Sequence, residues 1–294
     1  MKNFLSVICF FLVFSGFAQD TLVTHKTRKL LSISHFRSHG IALTKEDSLN
    51  WVFHKNDTLV PVENFPSEGL NKVKVRYEPR NEEFLKIYKP AVFGHTEELQ
   101  EKSTIKVWKD PIKLFFDPSV PEAHRKELLQ FSEEVATGID SLRVTEVQER
   151  AKSNFLVFYR NSEEDFDQEQ RISNNRNSGF YVSWNGKQQI NRGVIKVNAY
   201  KVYQEKDQLD LLKYHFFKAL GYFHFSPKIP CKGYLSGCPV KRELLSEDLD
   251  VLKYHYSYGM CKGIDMESFD KIHRDSRKTL EEHPDAEIFL VHQN

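Results

Sequence analysis

The sequence predicts an α+β fold. From about residue 104 onward, short runs with strand character interleave with three well-separated stretches of helical periodicity. The chain is 40% hydrophobic and 13% aromatic, with 23 Phe, which is ample for a packed core. At about 150 residues per domain, 294 residues make one or two domains. Charged residues at 28% beside that apolar content exclude collagen, coiled coil and wholesale disorder. Lys plus Arg is 42 against 41 for Asp plus Glu, so the charge excess of a nucleic-acid binder is missing.

Residues 1–18 are expected to be a signal peptide. Lys2 supplies a positive start, Phe4 to Phe14 is apolar except for Ser6, and Gly16 and Ala18 offer a cleavage site before Gln19. The apolar run is shorter than the ~20 residues of a membrane span, so no membrane span is predicted. A secreted or periplasmic location follows, with cleavage near Ala18/Gln19. The segment carries one Lys, so 41 basic residues remain against 41 acidic ones.

Residues 19–103 read as a small β-rich region of unknown role. Val73, Val75 and Tyr77 alternate with charged residues, and Glu46-Asp47 and Asn56-Asp57 read as turns. His35 and His39 stand four apart, but Gly40 follows and no third ligand is evident, so they read as loop histidines.

The principal domain is predicted over residues 104–262, and 263–294 form a C-terminal helix and tail. Thr104–Trp108 reads as a strand with Ile112–Phe116 as its partner. Ser119 to Glu122 reads as a capping box with Pro121 in the first turn. Leu128, Phe131, Val135, Ile139 and Leu142 follow at helical spacing. Asn154–Tyr159 reads as a buried strand. Phe180–Trp184 is a strand closed by the hairpin signal Asn185-Gly186, and Val194–Tyr200 is another. A second helix is predicted over about Asp207–Leu220, and a third from Ser246, as N-cap, to about Tyr256.

An exported chain meets an oxidising compartment. Cys9 leaves with the signal peptide and Cys231, Cys238 and Cys261 remain. Cys231 and Cys238, in a loop rich in Pro and Gly, are the expected disulfide, with Cys261 a spare thiol. A zinc site from the three does not match ribbon or finger spacing.

The second helix holds the informative residues. Leu209, Leu212, Phe216 and Leu220 form an apolar stripe. Tyr214, Lys218 and Gly221 stand at i, i+4 and i+7, and His224 follows three residues later. This stretch resembles the metzincin motif H-E-x-x-H-x-x-G-x-x-H in frame and not in chemistry. Tyr214 takes the first histidine position, His215 the glutamate, Lys218 the second histidine, Gly221 the glycine and His224 the third histidine. In that motif two His at i, i+4 face one zinc and the Glu activates its water. The glycine turns the chain so that the third His reaches the metal. A lysine ammonium is no ligand until it loses its proton.

Leu245 to Met260 looks like the helix and Met-turn that close such a site, with Gly259-Met260 as the turn. Val107-Trp-Lys-Asp-Pro-Ile112 resembles the start of a family of secreted zinc proteases named only as a domain of unknown function. The match covers about residues 104–262. It implies a zincin (metzincin-like) mixed sheet with an active-site-type helix and Met-turn. The departures imply a pseudo-metalloprotease without catalytic residues or metal, acting as a peptide- or protein-binding module. Of the ligand-type positions only His224 is retained, and no cofactor is expected.

The expected partner is a peptide along an edge strand at Val194–Tyr200, paired through main-chain hydrogen bonds that need no metal. The Lys218 ammonium is expected near the position zinc would take, with Asp210 as its partner. The alternative is an active zinc peptidase with a ligand set rebuilt around His224 from His215, His255 and Cys261. A metal-free hydrolase using Cys261 and His255, and an interaction protein unrelated to zincins, are the remaining readings.

Overall fold

The structure is a computed structural model and describes residues 29–38, 43, 45, 51–54, 57–62, 72–238, 241–260 and 262–293. The signal segment with Cys9, the Glu46-Asp47 turn, Asn56, His39 and Cys261 lie outside the described residues. The chain forms two compact units, residues 1–70 and 71–294.

In the first unit, β1 (Lys29–Ser32), α1 (Ile33–Ser38), β2 (Val52–His54) and β3 (Asp57–Val62) follow in order. The strands make an antiparallel sheet in the order β1-β3-β2. Val60 of β3 and Phe36 of α1 are buried.

The second unit opens with β4 (Lys72–Arg76), the alternating strand foreseen in the leading region. Its partner is β11 (Phe289–Gln293), at the other end of the chain. Residues 72–103 therefore fold with the second unit rather than with a leading β-rich region. They also contain a helix the sequence reading missed, α2 (Glu82–Phe93). Asn81 caps it by accepting from the Phe84 N–H at 2.9 Å, and Glu82 and Glu83 suit the positive end of its dipole. Pro90 in the last turn hides the helical pattern. Tyr88, Val92 and Phe93 are buried on its inner face. The short α3 (Glu97–Lys102) follows.

The main sheet is mostly parallel. Its strands are β5 (Val107–Trp108), β6 (Ile112–Phe116), β7 (Val144–Glu146), β8 (Phe155–Arg160), β9 (Ser178–Trp184) and β10 (Gln189–Asn198). The order is β7-β6-β8-β10-β9, and only β9 runs antiparallel. β5 lies beside the first residues of β10, on the side that β8 takes further along.

β5 and β6 are thus not a pair, as the sequence reading has them. β6 pairs with β7 and β8 instead. Parallel pairing needs a crossover, and α4 (Glu122–Ala136) supplies it between β6 and β7. The N-cap of α4 is Pro121, with no side-chain cap bond, so the predicted capping box does not form. The Ser119 hydroxyl instead donates to Asp117 Oδ1 at 2.7 Å and accepts from the Tyr159 N–H.

Val194–Tyr200 is not an edge strand. Val194 to Val197 pair with β8 on one side and β9 on the other. They are buried, as a near-continuous apolar run in an interior parallel strand should be. The edge belongs to β9, beyond which no described residue pairs. The β9–β10 hairpin turns at Asn185 as its signal predicts. However, the left-handed residue is Gln188, with φ 57°, rather than Gly186.

Three further helices complete the unit: α5 (Glu205–Ala219), α6 (Ser246–His255) and α7 (Met266–Glu282). Ser246 is the first helical residue of α6, not its cap. The buried Asp248 carboxylate receives the N–H groups of Leu245, Tyr234 and Leu235. One core joins Leu212, Phe216 and Leu220 of α5 to Phe155 and Val157 of β8 and Phe131 of α4. No helix among the described residues is long and apolar enough to cross a membrane.

Candidate functional site

The site lies where α5 runs beside β9. Glu205 and Asp207 occupy the first turn of α5, where its dipole favours anions. Leu212, Phe216 and Leu220 anchor the helix in the core. Tyr214, His215 and Lys218 are only partly buried.

Lys218 Nζ lies 3.4 Å from the Tyr214 hydroxyl and 5.3 Å from the centre of its ring. It makes no ion pair among the described residues. Asp210 is not its partner. Asp210 is clamped by Arg242 instead, through the backbone N–H at 2.9 Å and the guanidinium. That guanidinium stacks on Tyr214, 3.9 Å above the ring centre. Arg242 arrives from the loop beyond the disulfide, which sequence spacing on one helix could not reveal. The geometry favours Arg because its planar fork grips a carboxylate while its face covers an aromatic ring.

His215 reaches across to the sheet edge. Its Nε2 is 2.8 Å from Ser178 Oγ, and its ring lies against Phe180. Its Nδ1 is buried with no partner. Burial, with the charges of Lys218, Arg242 and Arg176 adding to it, pushes the imidazole down to about 3. Ser178, Phe180, Val182 and Trp184 alternate along β9 on one face. Phe180 and Trp184 both contact Tyr222.

Gly221 is where the predicted turn begins, but the left-handed residue is Tyr222, with φ 54°. Gly221 is needed for space, because a Cβ there would sit 2.4 Å from Cζ of Phe223. The His224 N–H donates to the Ala91 carbonyl of α2 at 2.8 Å. Its Nε2 is buried and unpartnered. Burial pushes this imidazole down to about 4, and Lys218, Lys106 and His95 push the same way.

Lys106 is a second residue the sequence reading missed. It stands in the apolar run Ile105-Lys-Val-Trp108 and is only 5% exposed. Its ammonium bonds to Thr104 and lies 4.6 Å from the Trp184 ring and 5.7 Å from that of Tyr222. Burial lowers its pKa. A lone Lys in such an apolar run was the available signal.

The remaining candidates sit elsewhere. The turn at Met260 closes through its N–H to the Ser257 carbonyl, and its Sδ is 3.6 Å from the Tyr88 hydroxyl. His255 is fully committed, with Nε2 donating to the Lys106 carbonyl at 2.8 Å and Nδ1 3.2 Å from the Tyr88 hydroxyl. Cys231 and Cys238 are bridged, with Cα atoms 5.2 Å apart. No cluster of three His, Cys, Asp or Glu that could hold a metal occurs among the described residues.

A cavity of about 690 Å³ opens at the start of α5, beyond Arg242. Lys201, Lys206, Lys241 and Arg242 line it together with Asp207 and Asp210. Cations therefore outnumber acids there.

The structure defines a mixed α+β protein with a mostly parallel central sheet. No family model matches the chain, and no curated protein matches it.

Proposed function

We propose that this chain is a secreted, metzincin-like pseudo-metalloprotease that binds peptides or proteins rather than cutting them. The observation that carries the reading is Lys218, on the helix position of the second motif histidine and packed on Tyr214. The donor set does not fit zinc. Tyr214 lies under a guanidinium, Lys218 is an ammonium, and His215 turns to Ser178. Of the rebuilt set, His255 has both nitrogens engaged. What supports the binding half of the reading is β9, an antiparallel edge strand beside the site helix whose outer main-chain groups have no strand partner among the described residues. Such an edge can take up an extended peptide by main-chain hydrogen bonds alone.

Elemental analysis of the secreted chain, purified without chelator, tests the first half. The expected result is well below one zinc per chain. About one zinc per chain, lost in His224→Ala, would overturn the reading in favour of a rebuilt zinc peptidase.

A further inference from the structure

Several cations stand along α5 and beside the sheet edge without an acidic partner among the described residues. At one end Lys201, Lys206 and Lys241 line the cavity together with Asp207. In the middle Lys218 has only the Tyr214 hydroxyl. At the far end Lys106 is buried under Trp184 and Tyr222 with no carboxylate partner among the described residues. Arg242 is the one cation here that an acid neutralises, and Asp210 is spent on it.

Two observations independent of that charge point to a ligand. Of five buried side-chain polar atoms without a partner among the described residues, three lie around Lys218: His215 Nδ1, His224 Nε2 and Arg242 Nε, the other two being Asn198 Oδ1 and Ser226 Oγ. The aromatic surface of Trp184 and Tyr222 stands 38% and 36% exposed at the end of the free edge. An ammonium held out of bulk water beside low-dielectric ring faces attracts an anion more strongly than one in solvent.

We infer that the ligand is an acidic peptide, paired along β9, with one of its carboxylates on Lys218 Nζ. This rests on the binding reading above and names its ligand chemistry. Main-chain pairing on β9 supplies register, and the charge on Lys218 supplies selectivity.

Three fluorescein-labelled peptides of alternating Thr and Val, as long as β9, test it by fluorescence polarisation with the full chain. One ends in a free carboxylate, one in an amide, and one is amidated with Glu at its centre. The expected result is that an acidic peptide binds on the order of tenfold tighter than the neutral amide, as a charge-assisted hydrogen bond allows. Whichever acidic peptide gains identifies the carboxylate as terminal or side-chain. The gain should vanish in Lys218→Met and survive in Lys218→Arg. Equal binding of all three would overturn the inference and leave the strand-pairing reading standing. A gain unchanged in Lys218→Met would overturn the assignment to Lys218. Binding of none would overturn both.

Discussion

His255 and His273 hold both ring nitrogens in hydrogen bonds, whereas His215 and His224 each keep one buried nitrogen without a partner. His255 joins the Lys106 carbonyl to Tyr88, and His273 joins the Arg80 carbonyl to the Tyr77 hydroxyl. These two tie β4, α2, α6 and α7 together. His215 and His224 flank Lys218 along the chain. The lysines divide the same way. Lys196 is fully buried and its ammonium meets Asp167, Asn174 Oδ1 and the carbonyls of Glu169 and Ile172. Lys218 meets one phenol hydroxyl. An unpaired buried polar atom costs about 1–3 kcal/mol. The satisfied groups hold the fold together, whereas His215 and His224 leave buried nitrogens without a bond.

The largest expected effect is at Lys196. Lys196→Met should destabilise by about 3 kcal/mol, since it strands the Asp167 carboxylate beside an apolar side chain. His255→Ala should cost about 3 kcal/mol, because it leaves a buried carbonyl and a buried hydroxyl unpaired and opens a cavity. Urea denaturation measures both. A loss under about 1 kcal/mol at either position would break the distinction between the satisfied groups and those around Lys218.

Acid comes next, and it acts on both groups alike. His215 is held at about 3, and His224 and His255 at about 4, each chiefly by burial. An unfolded imidazole titrates near 6.5, above all three values. Above that pH the three contribute no pH dependence. Below it the unfolded chain takes up protons that the folded chain refuses, so stability falls as pH drops from about 6.5 towards 4. Near pH 5 unfolding should take up close to about three protons from these groups. A flat stability profile between pH 7 and 5 would show that these imidazoles are solvated.

The smallest effects belong to His224 and Lys218. His224→Ala should cost under about 1 kcal/mol, because its buried nitrogen has no bond to lose. Lys218→Met should change stability by no more than about 0.5 kcal/mol, or raise it, since the ammonium has no charged partner. A large loss in Lys218→Met would place that lysine with Lys196, as part of the fold.

Much of this was legible in the residues. β8, β9, α5 and α6 fall where their periodicity puts them, β10 begins five residues before the predicted Val194 and ends two before Tyr200, and the Cys231–Cys238 bridge is the pair that its loop implies. Periodicity reports the face a residue turns to the core, which is a local property. Partners are not local. The pairing of β4 with β11, the interior place of β10 and the parallel course of β6 each join segments far apart in the chain.

The candidate site divides along the same line. The sequence by itself determined that Tyr214 and Lys218 share a helix face, because i, i+4 geometry is built into any helix. Only the tertiary structure decided that Asp210 serves Arg242 rather than Lys218, that Arg242 covers Tyr214, and that Lys106 reaches Trp184 and Tyr222. Those choices depend on which loops the packed core brings over the helix. A charge takes the nearest opposite charge in space, whatever its distance along the chain.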